Sequence, residues 1–241
     1  MDTLADFLAR HERILLMFSA GKDSAAVLKL LRPHLARVMV TWVNPGHPYP
    51  ETLDYMSHVQ RSVPHFQMVL GQQPAFVARH GHPADLVPFE ATPLGRIAAD
   101  TSAPMLVPLE VCCRANLWGP MRQAVIDYGA TGCIRGDKAC DPLHANVVHG
   151  EVREGVEYHF PLLHWSDDQV REYVGDDIPA SYRRGLRTSL DCMNCTAYLH
   201  ENPGRLADLR EHYPQAWAEV QPIVHWMRDI TRRHLTAMEA A

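Results

Sequence analysis

Arg13-Ile14-Leu15-Leu16-Met17-Phe18-Ser19-Ala20-Gly21-Lys22-Asp23-Ser24-Ala25-Ala26-Val27-Leu28-Lys29-Leu30-Leu31 is the stretch on which the fold turns. The unbroken apolar run behind Arg13 reads as a strand buried on both faces, because a half-exposed strand would alternate apolar and polar positions. Ser19 to Ser24 is a tight loop around one glycine. Ala25 to Leu31 then reads as a helix stopped near Pro33. Strand, tight loop and helix start gather backbone N–H groups at the positive end of a helix dipole, which is an anion site. Lys22 adds a point charge for phosphate oxygens, and Ser24 adds a hydroxyl donor. Asp23 does not suit a phosphate contact and fits a Mg2+ ligand or a partner for Lys22. The spacing is neither that of the Walker loop nor that of the dinucleotide fingerprint.

Outward from this unit the pattern repeats. Arg37-Val38-Met39-Val40-Thr41-Trp42-Val43 is strand-like and ends in the turn signal Asn44-Pro45-Gly46. Glu51 to Val59 reads as a helix and His65 to Leu70 as a third strand. A short helix is expected over residues 2–12. Strands and helices alternating through short connections predict an α/β fold with a doubly wound, mostly parallel sheet. Residues 81–110, rich in proline and weakly periodic, read as a long irregular insertion. Ala115 to Tyr128 is a helix with Gly119-Pro120 near its start, and Thr131 to Arg135 is a short strand. Ser166-Asp167-Asp168-Gln169 is a capping box. Beyond about residue 176 the texture changes, which predicts a nucleotide-binding domain over 1–175 and a C-terminal segment over 176–241. That segment carries a Cys-x-x-Cys and two closing helices.

Composition narrows the classes. The 241 residues are 46% hydrophobic and 21% charged, enough for a full core and unlike a disordered chain. A formal charge of -5 argues against coating nucleic acid by bulk electrostatics. No apolar stretch is long enough to predict a membrane span, and Met1-Asp2-Thr3-Leu4-Ala5-Asp6 lacks the pattern of a secretory signal. A cytoplasmic location follows as the expectation, with the six cysteines reduced, metal-bound or catalytic. Trp118, Trp165, Trp217 and Trp226 read as core or interface residues. Arg183, Arg184 and Arg187 read as phosphate contacts or a solvated basic run. His80-Gly81-His82 reads as a surface pair with weak metal character.

Two cysteine pairs carry chemistry. Cys112-Cys113 and Cys192-Met193-Asn194-Cys195 lie far apart in the chain. A Cys-x-x-Cys turn lets two thiolates converge on one centre. Four thiolates suit Zn2+ or a [4Fe–4S] cluster, and spacing alone leaves both open. A redox dithiol at Cys192 and Cys195 is the alternative, although it leaves Cys112-Cys113 unexplained.

Ser19-Ala20-Gly21-Lys22-Asp23-Ser24 resembles the pyrophosphate (PP) loop of the adenine nucleotide alpha hydrolase superfamily. Asn44 to Thr52 resembles the segment after the second strand in sulfonucleotide (APS and PAPS) reductases. Pro50-Glu51-Thr52 is kept there, and Asn44-Pro45-Gly46 stands where that family has Asp-Thr-Gly. Cys112-Cys113-Arg114, a long spacer, then Leu190-Asp191-Cys192-Met193-Asn194-Cys195-Thr196 is similar to the cluster pattern of APS reductases. Gly136-Asp137-Lys138-Ala139-Cys140-Asp141-Pro142-Leu143-His144 loosely resembles the segment contacting the nucleotide's phosphate end, with Lys138 and His144 in place of arginines.

The resemblance implies an adenine nucleotide held by Ser19, Ala20, Gly21, Lys22, Asp23, Ser24, Asn44, Gly46, Thr52, Arg135, Gly136, Lys138 and His144. It also implies a [4Fe–4S] cluster on Cys112, Cys113, Cys192 and Cys195. Two features depart from the reductases. No cysteine follows Cys195, leaving Cys140 as the better thiol nucleophile beside the buried-strand residue Cys133. Lys22 and Asp23 match ATP-cleaving members that release pyrophosphate with Mg2+. The expected function is therefore ATP cleavage to AMP and pyrophosphate in cluster-dependent sulfur transfer, with Lys22, Asp23 and Cys140 as catalytic residues. The alternatives are an APS or PAPS reductase whose cysteine is non-standard or supplied by a partner, and a non-catalytic nucleotide or cluster sensor. The partners implied are an adenine nucleotide, a sulfur donor or thiol reductant protein, a nucleic-acid acceptor as in tRNA thiolases and DNA phosphorothioation enzymes, and a second copy of the chain as a homo-oligomer.

Overall fold

The computed structural model describes residues 3–98, 103–141, 148–189 and 191–240. Helix α1 (Leu4–Arg10) opens with a capping box between Thr3 and Asp6. Strand β1 (Ile14–Met17) and helix α2 (Lys22–Leu30) flank the glycine loop. Then come β2 (Val38–Asn44), α3 (Pro50–Ser62), β3 (Phe66–Leu70) and α4 (Gln73–His80). Next are β4 (His82–Ala84), α5 (Pro93–Ala98), β5 (Leu106–Pro108), α6 (Leu109–Cys113) and α7 (Gly119–Tyr128). The chain continues through β6 (Gly132–Ile134), β7 (Val152–Arg153), β8 (Val156–His159) and α8 (Asp167–Val174). It closes with α9 (Ala180–Arg183), α10 (Arg205–His212) and α11 (Pro214–Glu239).

The main sheet has the order β3-β2-β1-β6-β8-β7. All its pairings are parallel except β7 with β8. Ile14, Leu15 and Leu16 of β1 are fully buried between two neighbours, as a central parallel strand requires. The chain runs outward from β1 to β3 and returns on the other side of β1 at β6. This reversal makes a switch point between β1 and β6, and the crevice at the carboxyl ends of these strands is where such sheets take ligands. The doubly wound α/β expectation is borne out. The β7–β8 hairpin turns at Glu154 and Gly155, both at positive φ, and extends the sheet beyond what the sequence suggested.

Two other expectations change. The described residues of 81–110 are not wholly irregular: β4 and β5 pair in parallel as a second small sheet. Ala84, Ala91 and Leu106 form a core there against Ile223, Trp226 and Met227 of α11. Pro83 and Pro108 hide these strands from a propensity reading, yet proline is tolerated because each strand keeps a free edge. The helix expected from Ala115 begins six residues earlier, at Leu109, and passes through a π turn over Arg114–Trp118. Pro120 has no N–H to give the carbonyl four residues back, so the ladder slips and the Gly119 amide reaches Arg114 O instead. The boundary expected after residue 175 falls between α8 and a short 3-10 turn, Gly175–Asp177. Beyond it, Leu186, Leu209, Ala216 and Val220 form a cluster around Tyr49 from the loop after β2.

Candidate functional site

A cleft of about 320 Å³ opens at the switch point. One part of the lining is apolar: Met17 ending β1 and Phe18 after it, Trp42 and Val43 of β2, and Leu117, Trp118 and Met121 from the π turn and α7. The other is polar: Ser19, Asp23 and Ser24 of the glycine loop, then Arg135, Gly136, Asp137 and Asp141 after β6, with Asp191. Trp118, expected as a core or interface residue, is half exposed at this cleft.

The loop is built for close approach. Ala20 sits at φ 60, a left-handed conformation that costs an L-residue about 1–2 kcal/mol. The Gly21 amide donates to Ser19 Oγ, and Ser24 Oγ donates to Gly21 O. Gly136 allows close packing on this loop, since a Cβ there would lie 3.0 Å from the Asp23 carbonyl carbon and 3.1 Å from the Ser24 nitrogen and would push the loop by a few tenths of an ångström. Tyr182 of α9 closes the loop from below, its hydroxyl accepting from the Lys22 amide. Nothing in the sequence marks Tyr182.

Lys22 does not project into the cleft. It is buried, and its Nζ donates to Asp23 Oδ2 and to Asp167 Oδ1, each at 2.8 Å. Lys138 is buried too, so the expectation that it faces a ligand's phosphate is corrected. Its Nζ lies 2.7 Å from Asp23 and from Asp141, and 3.3 Å from Asp167. A fully buried ammonium requires such partners. Burial opposes the Lys138 charge, and the bonds to Asp141 and Asp23 outweigh it, holding the group protonated. Burial likewise works against the Asp167 carboxylate, and Lys22 and Lys138 hold its pKa below the usual value. Two ammonium groups thus share three carboxylates. Asp167 also opens α8, whose Ser166–Gln169 capping box forms as expected. Arg135 pairs with Asp137 at 2.8 and 2.9 Å and keeps a place in the cleft wall.

The other expected nucleotide residues divide. Asn44 and Gly46 stand outside the cleft wall, where Asn44 Oδ1 accepts from the Gly46 amide at 2.9 Å. Thr52 is buried beside Ala20 and Tyr55. His144 lies outside the described residues. Cys140 is exposed, its thiol donating to Trp165 O at 3.6 Å, and does not line the cleft. Burial pushes the Cys133 thiol up to about 12, where it is inert. Arg184 is held by Asp208, Glu51 and Tyr213 rather than by a phosphate.

Behind the cleft, and sharing Leu117 and Asp191 with it, is a second cavity of about 220 Å³ lined by Cys113, Cys192 and Cys195. Cys112 and Cys113 end α6, where successive side chains point about 100° apart. The fold brings Cys192 and Cys195 to them, and each pair feels the other's charge. All four are buried. Burial, reinforced by neighbouring thiols, pushes Cys112 up to about 11, Cys113 to about 12 and Cys192 well above its ordinary value.

The Cys-x-x-Cys turn is stitched on three sides. The Met193 amide donates to His47 O, and Thr196 Oγ1 donates to Pro83 O. The Tyr198 and Leu199 amides donate to the Asp85 carboxylate. Asn116 in the π turn holds the other pair, donating to Cys112 O at 3.0 Å. Tyr49 Oη, Asn194 Oδ1 and Arg205 Nε are buried around this turn without hydrogen-bond partners. Among the described residues no group of three or more His, Cys, Asp or Glu side chains is arranged to hold a single metal ion. Four thiols gathered from two distant segments are a donor set that would suit a metal–sulfur group.

Residues 13–198 match the phosphoadenosine phosphosulfate reductase domain. No curated relative matches the sequence. Among solved structures, the fold is similar to the phosphate complex of phosphoadenylyl-sulfate (PAPS) reductase from Candida auris. The TM-score is 0.52 at 15% identity, covering 74% of this chain and 81% of that one.

Proposed function

The chain belongs to the phosphoadenosine phosphosulfate reductase domain family, and from that premise we propose that it cleaves ATP to AMP and pyrophosphate in cluster-dependent sulfur transfer. The observation that carries this reading is the polar wall of the cleft. Asp23, Asp137, Asp141 and Asp191 line it with Arg135 as their one cationic neighbour in the lining. Asp23 and Asp141 are already engaged by Lys22 and Lys138, and Arg135 by Asp137, so the described lining leaves no unpaired cation for a bare polyanion, whereas a nucleotide arriving with a divalent cation brings its own. Mg2+ is commonly bound through one or two carboxylates plus substrate phosphates, and Asp23 with Asp137 or Asp141 suits that role. When bound, the metal would neutralise charge on the departing pyrophosphate.

The chain's own residues do the rest. The apolar wall from Phe18 to Met121 takes the adenine ring, and the first turn of α2 faces the polyphosphate. An acceptor oxygen attacks the α-phosphorus, the bond to the bridging β-oxygen breaks, and pyrophosphate leaves with that electron pair. Lys22 exchanges Asp167 for the leaving group's oxygens and stabilises the charge developing there. The adenylated acceptor then loses AMP to an incoming sulfur nucleophile. Cys112, Cys113, Cys192 and Cys195 would hold a [4Fe–4S] cluster, which when bound would supply a site for binding or delivering that sulfur.

The family match favours one second reading, reduction of APS or PAPS, in which a cysteine attacks the sulfate sulfur and sulfite is released. No cysteine lines the main cleft, so this reading needs a thiol from a partner protein or a movement of Cys140. The two are separated by incubating anaerobically purified protein with ATP and Mg2+, and separately with APS or PAPS and a thiol reductant. Pyrophosphate and AMP from ATP, lost in Lys22→Ala, are the expected result. Sulfite from APS or PAPS with no pyrophosphate from ATP overturns it.

A further inference from the structure

Resting on the cluster reading above, we propose that Arg205 is the positioning residue for the four-thiol centre: a buried guanidinium that compensates the centre's negative charge and braces the Cys-x-x-Cys turn at both ends. Arg205 is 6% exposed although it is an arginine at the first position of a helix. Its Nη2 donates to Cys192 O at 2.7 Å and its Nη1 to Ala197 O at 3.0 Å. These bonds span the turn carrying Cys192 and Cys195 and fix the guanidinium plane. The group faces the Cys195 sulfur and the Tyr49 hydroxyl, yet Nε closes no hydrogen bond in this geometry.

Arginine is the only cationic residue type lining the thiol cavity, whose other charged residues among those described are Asp191 and Glu201. A buried cation is costly unless answered by anions; Asp191 interacts with this guanidinium, and thiolates at the four cysteines would add further counter-charge on the side it faces. Neither of its two carbonyl bonds needs a full positive charge, and a carbonyl brace alone would not require the guanidinium to face the Cys195 sulfur. The residue therefore acts on the thiol centre through both charge and orientation.

The test uses the full chain purified anaerobically as wild type, Arg205→Lys and Arg205→Met. Each is challenged with EDTA while the visible absorbance of bound iron is followed, and the iron–cysteine stretching bands are recorded by resonance Raman. Loss of such an outer partner typically weakens metal binding about 10–100-fold. Arg205→Met is expected to release iron faster on that scale with shifted stretching bands, and Arg205→Lys to recover most of the retention. ATP binding to the main cleft, measured on the same samples, shows that each variant is folded. Wild-type retention and bands in Arg205→Met overturn the inference, as does an equal loss in a folded Arg205→Lys. A wild-type protein that binds no iron, or binds zinc, instead overturns the cluster reading itself.

Discussion

The phosphate-loop region and the thiol region adjoin through Leu117 and Asp191, yet they are balanced in opposite ways. Around the loop every buried charge is answered within the chain: Lys22 and Lys138 are shared among Asp23, Asp141 and Asp167. Around the thiols, Asn194 Oδ1 is buried with no hydrogen-bond partner, the Arg205 guanidinium faces the Tyr49 hydroxyl and the Cys195 sulfur, and burial drives the Cys112, Cys113 and Cys192 thiol pKa values upward. In the first region the charges are matched without a ligand, so in the proposed reaction Lys22 reaches a nucleotide only by exchanging an existing ion pair. In the second, under the same proposal, the thiols and the Arg205 cation would be complemented by a bound inorganic group. A site that exchanges ligands each turnover gains from an internal stand-in, whereas a site that keeps its ligand does not need one.

The contrast is broken most severely on the thiol side. Cys192→Ser is expected to reduce bound iron to background in anaerobic preparations, as read by iron and sulfide analysis, while ATP still binds the cleft. Retained iron would show that the four thiols do not act as one donor set. On the loop side, Lys22→Ala should lower pyrophosphate release by about 10²–10³-fold, the usual cost of losing one preorganised stabiliser of developing charge. Its iron content should stay at the wild-type level, and coincident loss of both would mean the regions are coupled rather than merely adjacent.

Lys138→Met sharpens the point about internal balance. It leaves Asp23 and Asp141 without their shared cation, and breaking a buried pair in this way costs about 3–5 kcal/mol. Chemical denaturation should show that loss, and an unchanged midpoint would remove the claim that this lysine is structural. The smallest effect is expected at Asp167, whose side chain is 58% exposed. Asp167→Asn frees Lys22 from its stand-in, and calorimetry should find nucleotide affinity raised by a factor of about 5 at most, in line with an exposed ion pair. The same carboxylate has a lowered pKa in the folded chain. Its contribution is therefore present above the ordinary carboxylate value and is lost as pH falls through the lowered one. An acid-limb stability profile that Asp167→Asn leaves unaltered would contradict this.

What the sequence displays and what it hides follow the same division. Ile14 to Phe18 and Val38 to Val43 announce buried parallel strands because both faces are apolar, and the glycine loop between strand and helix announces the crevice. The cysteine spacing pointed to a common thiol site, and the fold brings both pairs there. The Lys22–Asp167 ion pair was not legible, because Asp167 lies far along the chain and carries only the signature of a helix cap. Tyr182 and Arg205 were hidden for the same reason, since their roles exist only once α9 and α10 have folded against loops from the first half. The strands β4 and β5 were masked by Pro83 and Pro108, whose unfavourable propensity is overridden by pairing at free edges. Cys140 shows the reverse case, a residue that motif proximity favoured but whose thiol turns to Trp165 O.

Trp118 gives the cleft a built-in optical probe. Its indole is 50% exposed at the mouth, while Trp42 deeper in the same wall is 4% exposed. A purine ring settling against that wall would dehydrate the outer indole and leave the inner one almost unchanged. Intrinsic fluorescence should then shift to the blue or quench as the cleft fills, reporting occupancy without a label and before any bond is cut.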